Sequence, residues 1–247
     1  MWGKAVTNGW EESAEAWIST VGPEGDFARR FVLDQPMLDL IVRSGARNAL
    51  DVGCGEGRFS RMLAARGLRT AGIDPSESLI RQARRLHADG DYRIAFAEQL
   101  PFGDRTFDVV VAYLSLIDIP DIHTAIQEMN RVLSPGGRLL IANLNGFFSA
   151  SNPAGWRREA DGTQSFVIDH YMTERSDWIG WGNLRVQNWH RPLSTYMKLL
   201  IETGLELTYF DEPLPQGGDP EQMALFKRVP SFLVMEWKKP TAGGEAE

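Results

Sequence analysis

Three glycines at alternate positions form the part of the sequence best suited to binding a ligand. Gly53, Gly55 and Gly57 follow a short apolar run, and Asp51 stands two residues before the first of them. Glycine permits a tight turn and lets a ligand lie directly against the backbone. The simpler interpretation is a turn that needs glycine for its own conformation. The strand predicted before these glycines and the helix predicted after them favour a ligand-binding loop.

The spacing of this loop departs from the dinucleotide-binding pattern G-x-G-x-x-G, because the sixth position counted from Gly53 is Arg58. A second candidate group is Asp74, which lies 17 residues beyond Gly57 at the end of the next predicted strand. A carboxylate there can accept hydrogen bonds from both hydroxyls of a ribose. The alternative for Asp74 is a capping role in the turn before Pro75.

Strands alternate with helices from residue 47 to residue 145. Apolar runs predict strands at 48–52, 68–74, 92–97, 107–113 and 138–144, and residues 134–137 are expected to end the helix that precedes the last of these. Ser76 and Asp121 are expected to cap two of the intervening helices. This alternation predicts an α/β fold with a parallel sheet and a ligand at the carboxyl ends of its strands.

The last part of the chain lacks this alternation. Two strand-like runs, at 205–210 and 231–237, are separated by a segment rich in proline and glycine. We therefore expect no helix between them and an antiparallel pair that closes one edge of the sheet.

The loop, the acid and three further segments resemble the class I methyltransferases that use S-adenosylmethionine. The segments are Gln99-Leu-Pro-Phe102, Phe107-Asp-Val-Val110 and Arg131-Val-Leu-Ser-Pro-Gly-Gly137, and the resemblance covers about residues 45–145. It is to the branch that includes quinone-biosynthesis and small-metabolite enzymes. It implies a Rossmann-like, doubly wound sheet of seven mostly parallel strands with an antiparallel last strand, plus a helical and aromatic cap. It also implies methyl transfer from S-adenosylmethionine to a small-molecule acceptor with an O, N or C nucleophile.

The resemblance also assigns cofactor contacts to residues of this chain. The glycine loop and Asp51 would hold the methionyl portion, Asp74 the ribose, and residues 97 and 98 would lie beside the adenine. The full set is Asp51, Gly53, Cys54, Gly55, Gly57, Asp74, Pro75, Ala97, Glu98 and Tyr113. The chain departs from the family where Phe96 replaces a common aspartate, and where Asp118 replaces a histidine that often precedes Val/Ile-Pro-Asp.

Two segments lie outside the strand and helix alternation and hold seven of the eight tryptophans. We interpret residues 1–35 as an N-terminal cap segment, 36–145 as the cofactor-binding core, 146–191 as a substrate-lid insertion and 192–247 as the rest of the core sheet. The tryptophans either pack the cap onto the sheet or close a site over an apolar or planar acceptor. Arg29 and Arg30 could reach the methionyl carboxylate, although a solvated helix face is the simpler interpretation.

Methyl transfer from a sulfonium is an in-line displacement that depends mainly on positioning, and an acceptor that carries a proton also needs a base. The candidate catalytic residues are His170 and His190, in or beside the insertion, and Tyr113 at the end of the fourth predicted strand. Packing or hydrogen bonding is the alternative role for each. The sequence lacks an acidic cluster of the kind that holds a catalytic metal, so no metal is expected.

Composition narrows the class of protein. The 247 residues carry a net charge of −7, which on average repels nucleic acid and anionic membranes. The longest apolar run, 109–117, is too short to span a bilayer, and the single Cys54 excludes an internal disulfide. We expect a cytoplasmic protein. A non-catalytic protein that binds S-adenosylmethionine or S-adenosylhomocysteine is the alternative function, and a nicotinamide oxidoreductase is disfavoured by Arg58.

Overall fold

The computed structural model describes residues 8–152 and 155–241, and within them seven strands form one sheet. The strands of the protein are β1 (Asn48–Val52), β2 (Arg69–Asp74), β3 (Asp91–Ile94), β4 (Phe107–Tyr113), β5 (Leu133–Leu144), β6 (Gly155–Arg158), β7 (Gln164–Val167), β8 (Arg175–Trp181), β9 (Leu184–His190), β10 (Glu206–Asp211) and β11 (Phe232–Lys238). The helices are α1 (Ala14–Val21), α2 (Asp34–Ser44), α3 (Arg58–Ala64), α4 (Glu77–Leu86), α5 (Ile122–Val132), α6 (Gly146–Ala150), α7 (Leu193–Glu202) and α8 (Pro220–Phe226). A π-helical turn, Arg29–Leu33, leads into α2.

The sheet has the order β10-β11-β5-β4-β1-β2-β3. Its neighbours from β5 to β3 run parallel, and β11 runs antiparallel to both β5 and β10. The predicted fold, a seven-stranded and mostly parallel sheet with an antiparallel last strand, is confirmed. The strand order reverses between β1 and β4, and such a switch point opens a crevice at the carboxyl ends of the strands.

Helices cover both faces of this sheet. In β4, Val110 and Ala112 pack into a core that includes residues of α5 and α7, whereas Val109 and Val111 pack into a core with residues of α2 and α3. Alternate residues of a strand point to opposite faces, so a central strand covered on both sides is apolar throughout. This is why β4 appears in the sequence as a continuous apolar run.

Local signals place several elements where the sequence predicts them. The Ser76 hydroxyl accepts a hydrogen bond from the Leu79 N–H at 3.2 Å and caps α4. The Asp121 carboxylate accepts one from the Thr124 N–H at 3.0 Å and caps α5. Both caps satisfy backbone donors that a helix leaves unpaired at its first turn.

Two expectations about the sheet and its edge need correction. The helix before residues 134–137 ends at Val132 as expected, but β5 begins at Leu133 instead of residue 138 and so includes residues 134–137. The Gly136 N–H donates to the Lys239 carbonyl and the Lys239 N–H donates to the Gly137 carbonyl, each at 2.9 Å. A short helix, α8, does lie between β10 and β11. Asp219 caps it by accepting from the Gln222 N–H, and Pro220 occupies its first turn, where a missing N–H costs nothing.

The insertion also differs from the expected helical cap. After the short α6, it forms two antiparallel hairpins, β6–β7 and β8–β9. The second hairpin packs against the N-terminal segment: the Gln187 N–H donates to the Asn8 carbonyl at 2.8 Å, and the Ser13 hydroxyl lies 3.2 Å from the Arg185 carbonyl. Strand pairing satisfies the backbone hydrogen-bonding groups along each hairpin. The short strands show no clear hydrophobic periodicity, so the sequence did not indicate the hairpins.

A buried ion pair fastens the N-terminal segment to the sheet. The Arg58 guanidinium, at the start of α3, donates to both carboxylate oxygens of Asp34, with Nη1 to Oδ1 at 3.0 Å. The Tyr113 hydroxyl donates to the same Asp34 oxygen at 2.8 Å, and Arg58 also donates to the Glu24 carbonyl at 2.5 Å. Arg58, which breaks the dinucleotide pattern in the sequence, therefore joins the first helix after the glycine loop to residues 24–34.

Replacing Arg58 with Met leaves the buried Asp34 carboxylate without its cation. We expect Arg58→Met to lower the free energy of unfolding by about 3–5 kcal/mol, because an unpaired buried charge is costly. Denaturant unfolding measures this loss. Arg66→Met, on the surface, is the matched control and should change stability by less than about 0.5 kcal/mol. Adding Asp34→Asn to Arg58→Met removes the unpaired charge and should recover part of the loss. Equal stability of Arg58→Met and the native protein would contradict this role.

Candidate active site

A cavity of about 440 Å³ opens at the carboxyl ends of β1, β2 and β4. This volume lies within the range of roughly 300–1,000 Å³ that is common for small-ligand sites. Its walls come from the glycine loop, the end of β2, residues 96–98, the segment 113–120 after β4 and the N-terminal segment between residues 8 and 29. The described residues of the insertion, 146–152 and 155–191, do not line this cavity. The N-terminal segment therefore encloses it, and the insertion lies elsewhere.

The surroundings that a side chain would meet differ among the three glycines of the loop. All adopt positive φ, at 76°, 55° and 77° for Gly53, Gly55 and Gly57. A Cβ on Gly53 would overlap Ser115, and one on Gly57 would lie 2.8 Å from the Tyr92 ring. A Cβ on Gly55 meets nothing closer than the Trp17 indole nitrogen at 3.9 Å. Gly55 is the glycine whose missing side chain leaves room in the cavity, whereas packing within the protein explains the other two.

Of the predicted contacts, Gly57 is thus placed against Tyr92 instead of the cavity, while Gly53 and Gly55 line it. Cys54 also lines the cavity, but its side chain is buried with Ile80, Ala83 and Tyr92. Burial raises the pKa of this thiol well above its usual value, so it is held neutral. The loop offers a ligand mainly backbone atoms.

Asp74 ends β2 at the cavity wall. Its Oδ2 accepts a hydrogen bond from the Gly55 N–H at 3.0 Å, and its Oδ1 accepts one from the Ser76 N–H at 2.9 Å. The carboxylate therefore joins the glycine loop to the turn before α4, and the following Pro75 also lines the cavity. Burial raises the pKa of Asp74 to about 6, against the two backbone hydrogen bonds. Asp74 therefore both caps the turn before α4 and lines the cavity.

Asp51 lies at the end of β1 and is almost completely buried. Its Oδ2 accepts a hydrogen bond from the Ser60 hydroxyl at 2.7 Å. Burial raises its pKa to about 7, and the neighbouring charges of Glu56 and Asp74 add to that rise. Glu56 also lines the cavity: its Oε2 accepts from the Trp17 indole N–H at 3.1 Å, and its buried Oε1 lacks a hydrogen-bond partner among the described residues. This part of the cavity wall thus carries several acids.

The segment after β3 supplies the other side of the cavity. Phe96, Ala97 and Glu98 all line it, with Phe96 half exposed and Ala97 buried. Burial raises the pKa of Glu98, and this exceeds the effect of its hydrogen bonds to backbone groups. At position 96 this chain has a phenylalanine where the methyltransferases that it resembles commonly have an aspartate, so the wall at Phe96 is apolar.

The N-terminal segment contributes Glu11 and Trp17, which sequence reasoning did not identify, and Arg29, for which it favoured a solvated helix face. Glu11 reaches the start of α4, where its carboxylate accepts hydrogen bonds from the Ser76 and Ser78 hydroxyls at 2.5 Å each. The Arg29 guanidinium lies 4.6 Å from the centroid of the Trp17 ring and pairs with Asp26 at 2.5 Å. Glu11, Trp17 and Arg29 all line the cavity. The interpretation of Arg29 as a solvated surface residue was therefore wrong.

Of the candidate catalytic residues, only Tyr113 lines the cavity, and its hydroxyl already donates to Asp34. Burial raises the pKa of Tyr113 well above its usual value. His170 is exposed in a turn with φ of 51°. His190 is buried, with Nδ1 2.7 Å from the Ser149 hydroxyl and Nε2 2.8 Å from the Tyr171 carbonyl. The structure therefore does not bring either histidine to the cavity, because the insertion that carries them packs behind it.

The described residues offer neither a cluster of metal ligands nor a membrane-spanning helix. Within residues 8–152 and 155–241, no three or more His, Cys, Asp or Glu side chains are grouped so that they could hold a metal ion. In the same residues no helix has the length and apolar character needed to cross a membrane.

Similarity to known proteins connects this cavity to a family. The family model described as a methyltransferase domain matches residues 50–141. The chain is 32% identical to 27-O-demethylrifamycin SV methyltransferase of Amycolatopsis mediterranei, over 83% of this chain and 68% of that one. It is 37% identical to demethylmenaquinone methyltransferase of Clavibacter sepedonicus, over 78% of this chain and 69% of that one. Other relatives are matched over a smaller part: the chain spans 41% of the O-methyltransferase resE of Aspergillus sclerotiorum, at 40% identity.

Solved structures agree with these relatives. An S-adenosylmethionine-dependent methyltransferase from Mesorhizobium loti superposes with a TM-score of 0.77 at 26% identity, over 88% of this chain and all of that one. The matched domain contains the glycine loop, Asp74 and residues 96–98. The chain belongs to the class I S-adenosylmethionine-dependent methyltransferases, and S-adenosylmethionine is its cofactor.

Proposed function

We propose that this methyltransferase transfers the methyl group of S-adenosylmethionine to a small, apolar or planar organic acceptor bound in the same cavity. The observation that carries the proposal is the pairing of the open Gly55 position with the Asp74 carboxylate, joined by a 3.0 Å hydrogen bond in one cavity wall. An adenosyl ligand needs both features, a backbone surface and an acceptor for its ribose hydroxyls.

The acidic wall suits the charge of this cofactor. S-adenosylmethionine carries an ammonium and a sulfonium, and buried carboxylates are stabilised by a positively charged ligand. The backbone of Gly53 and Gly55, with Asp51 and Glu56 behind it, would hold the methionyl ammonium. The Glu56 Oε1 lies 3.9 Å from Arg61 Nη2 and accepts no hydrogen bond from the described residues. Arg29 faces the same cavity and would pair with the carboxylate of the ligand.

The remaining assignments follow the walls of the cavity. Asp74 would accept the ribose hydroxyls, since a carboxylate can accept further hydrogen bonds beyond the two it already has. Pro75, Ala97 and Glu98 would contact the adenosine, with the Phe96 ring beside it. Tyr113 would contact the cofactor through its ring, because its hydroxyl is engaged by Asp34.

The acceptor side of the cavity is lined in part by Trp10, Leu114 and Ile119. These apolar side chains favour an apolar or planar molecule over a strongly charged one. Two relatives are named for demethylrifamycin SV and demethylmenaquinone, which supports a small organic acceptor. The net charge of −7 argues against nucleic acid as the acceptor.

The chemistry requires alignment more than a specialised catalytic group. The cofactor supplies a methyl group on a positively charged sulfur. The chain holds the two reactants in line and keeps water away by enclosing them between the glycine loop and the N-terminal segment. Such positioning can contribute roughly 7–11 kcal/mol toward lowering the barrier.

Transfer of a radiolabelled methyl group tests the proposal. The protein is incubated with labelled S-adenosylmethionine and a metabolite extract, and label is expected in an organic small-molecule fraction. A non-catalytic binding protein would show an increase in melting temperature with the cofactor and no transfer, which would contradict the proposed activity. Stabilisation by NADH in place of S-adenosylmethionine would contradict the cofactor assignment.

Asp74→Ala is expected to weaken S-adenosylmethionine binding by about 1–3 kcal/mol, because the ribose loses a charged hydrogen-bond acceptor. Calorimetric titration measures this change. Asp39→Ala, on the exposed face of α2, is the control and should leave the affinity unchanged. An unaltered affinity in Asp74→Ala would count against the ribose assignment.

The pH dependence of binding gives a second measure of Asp74. Only its ionised form accepts both ribose hydroxyls, and burial raises its pKa to about 6. Lowering the pH through 6 protonates it, so affinity should fall toward a limit of about tenfold per pH unit. This component should be absent from Asp74→Asn, in which the pKa of Asp51 should also fall because the Asp74 charge no longer raises it.

Gly55→Ala should weaken cofactor binding by roughly tenfold or more, because its Cβ enters the space that the ligand backbone would occupy. Gly45→Ala is the matched control, since Gly45 has a similar positive φ of 65° and open space around it but lies at the end of α2. Both variants carry the strain of positive φ, about 1–2 kcal/mol of stability. Equal affinity in the two variants would show that the cofactor does not approach Gly55.

A further inference from the structure

Asp118 is a partly buried acid at the cavity, and none of the cofactor contacts above involves it. It lies in the segment after β4, where its N–H donates to the Ser115 carbonyl at 2.9 Å, and its side chain lines the cavity near Trp10 and Ile119. These neighbours form the part of the wall that is left for the acceptor. Asp118 is therefore placed to contact the acceptor molecule.

The second hairpin holds this aspartate in place. The Asn188 side-chain amide of β9 donates to Asp118 Oδ1 at 2.5 Å. The next residue, Trp189, donates its N–H to the Ile117 carbonyl at 2.6 Å. One carboxylate oxygen and the adjoining backbone are thus both fixed by the same strand.

Arg191 completes the support. Its side chain is only 2% exposed, and its guanidinium donates to the carbonyls of Leu116, Ile119 and Pro120 at 3.2, 2.8 and 2.9 Å. Because this buried guanidinium donates charge-assisted hydrogen bonds to carbonyls before and after Asp118, it fixes the backbone on both sides of that residue. The insertion, expected to be a lid, serves instead as the support of the segment 116–120.

The surroundings of Asp118 favour its protonated form. Burial raises its pKa to about 8 and the Asp74 charge adds to the rise, whereas the Trp10 indole N–H, the Asn188 hydrogen bond and the Arg29 charge oppose it. The two cations on the cavity walls are already paired, Arg29 with Asp26 and Arg58 with Asp34. Apart from Asp74, the acids on the cavity walls are Glu11, Glu12, Asp51, Glu56, Glu77 and Glu98, which also disfavour a further negative charge. A carboxylate that binds a proton near neutral pH is a suitable general base.

We propose that Asp118 accepts the proton that the acceptor molecule loses on methylation, that Asn188 positions it, and that the acceptor is a hydroxyl or carbon acid. This rests on the proposed function. The acceptor atom forms a bond to the methyl carbon, the methyl–sulfur bond breaks with its electron pair remaining on sulfur, and the proton of the acceptor atom moves to a carboxylate oxygen of Asp118. The sulfonium becomes a neutral thioether, so the charges balance.

Carbon-13 NMR of protein labelled at the aspartate carboxyl carbons tests the placement without any acceptor. The Asp118 signal is identified by its loss in Asp118→Asn and should titrate near pH 8. In Asn188→Ala and the similarly sized Asn188→Leu, the titration should move to higher pH, because a hydrogen bond that favours the charged form is gone. Gln187→Ala, whose side chain bonds Ser176 within the hairpin, should match the native protein. Titration of Asp118 near its usual value of about 4, or an unshifted signal in both Asn188 variants, would overturn the proposal.

Transfer to defined probes tests the proton step. With 2-naphthol or acetylacetone as acceptor, the native rate should rise with pH through about 8, since only the carboxylate form can accept a proton. Asp118→Asn should lower that rate by roughly 100-fold or more while leaving the calorimetric affinity for S-adenosylhomocysteine nearly unchanged. A rate within threefold of native in this variant, or transfer to neither probe, would overturn the proposal. If the proposed function itself is wrong, the cofactor titrations and the extract assay give negative results as well. If only the role of Asp118 is wrong, those two experiments still give the expected results.

Discussion

The buried ion pair between Asp34 and Arg58 is the interaction on which the site depends. It links residues of the N-terminal segment to the helix that follows the glycine loop, and the Tyr113 hydroxyl joins the same carboxylate from the end of β4. Three parts of the chain that are distant in sequence meet there. The cavity exists as an enclosed space because this contact holds the N-terminal segment across the open edge of the sheet.

Burial of acids is the second organising feature. Asp51 and Asp74 lie at the ends of β1 and β2, and Asp118 lies in the segment after β4. All three share one cause for their raised pKa values, removal of the carboxylate from water. Each is surrounded by hydrogen-bond donors that limit the cost, such as Ser60 for Asp51. An uncharged interior would avoid this cost altogether, so the retention of several acids is explained best by a cationic ligand that compensates them.

The insertion shows how a segment can serve a site without lining it. Its second hairpin contacts the N-terminal segment through Asn8 and Arg185, and the segment after β4 through Trp189 and Arg191. Both of these segments form cavity walls. The aromatic residues of the insertion pack within and around its hairpins, for example Trp156 against Phe166, with ring centroids 5.1 Å apart.

Sequence alone determined the features that arise from neighbours along the chain. The glycine loop, the caps at Ser76 and Asp121 and the two-sided apolar strand β4 follow from local conformation and periodicity, and the parallel direction of β1 to β5 follows from the alternation of strands and helices. Even here a local pattern has limits, because the proline-rich connection before β11 still forms α8 once Asp219 caps it.

Only the tertiary structure decided which polar side chains share the cavity. Asp118 and Asn188 are 70 residues apart, and Glu11 and Ser76 are 65 apart. Nothing in the spacing of such residues shows that they will meet. His190 and Gly57 illustrate the converse: their types suited the chemistry, but packing directed them toward Ser149 and Tyr92. The physical reason is that side-chain contacts between distant segments depend on how whole elements pack, and local sequence carries little information about that packing.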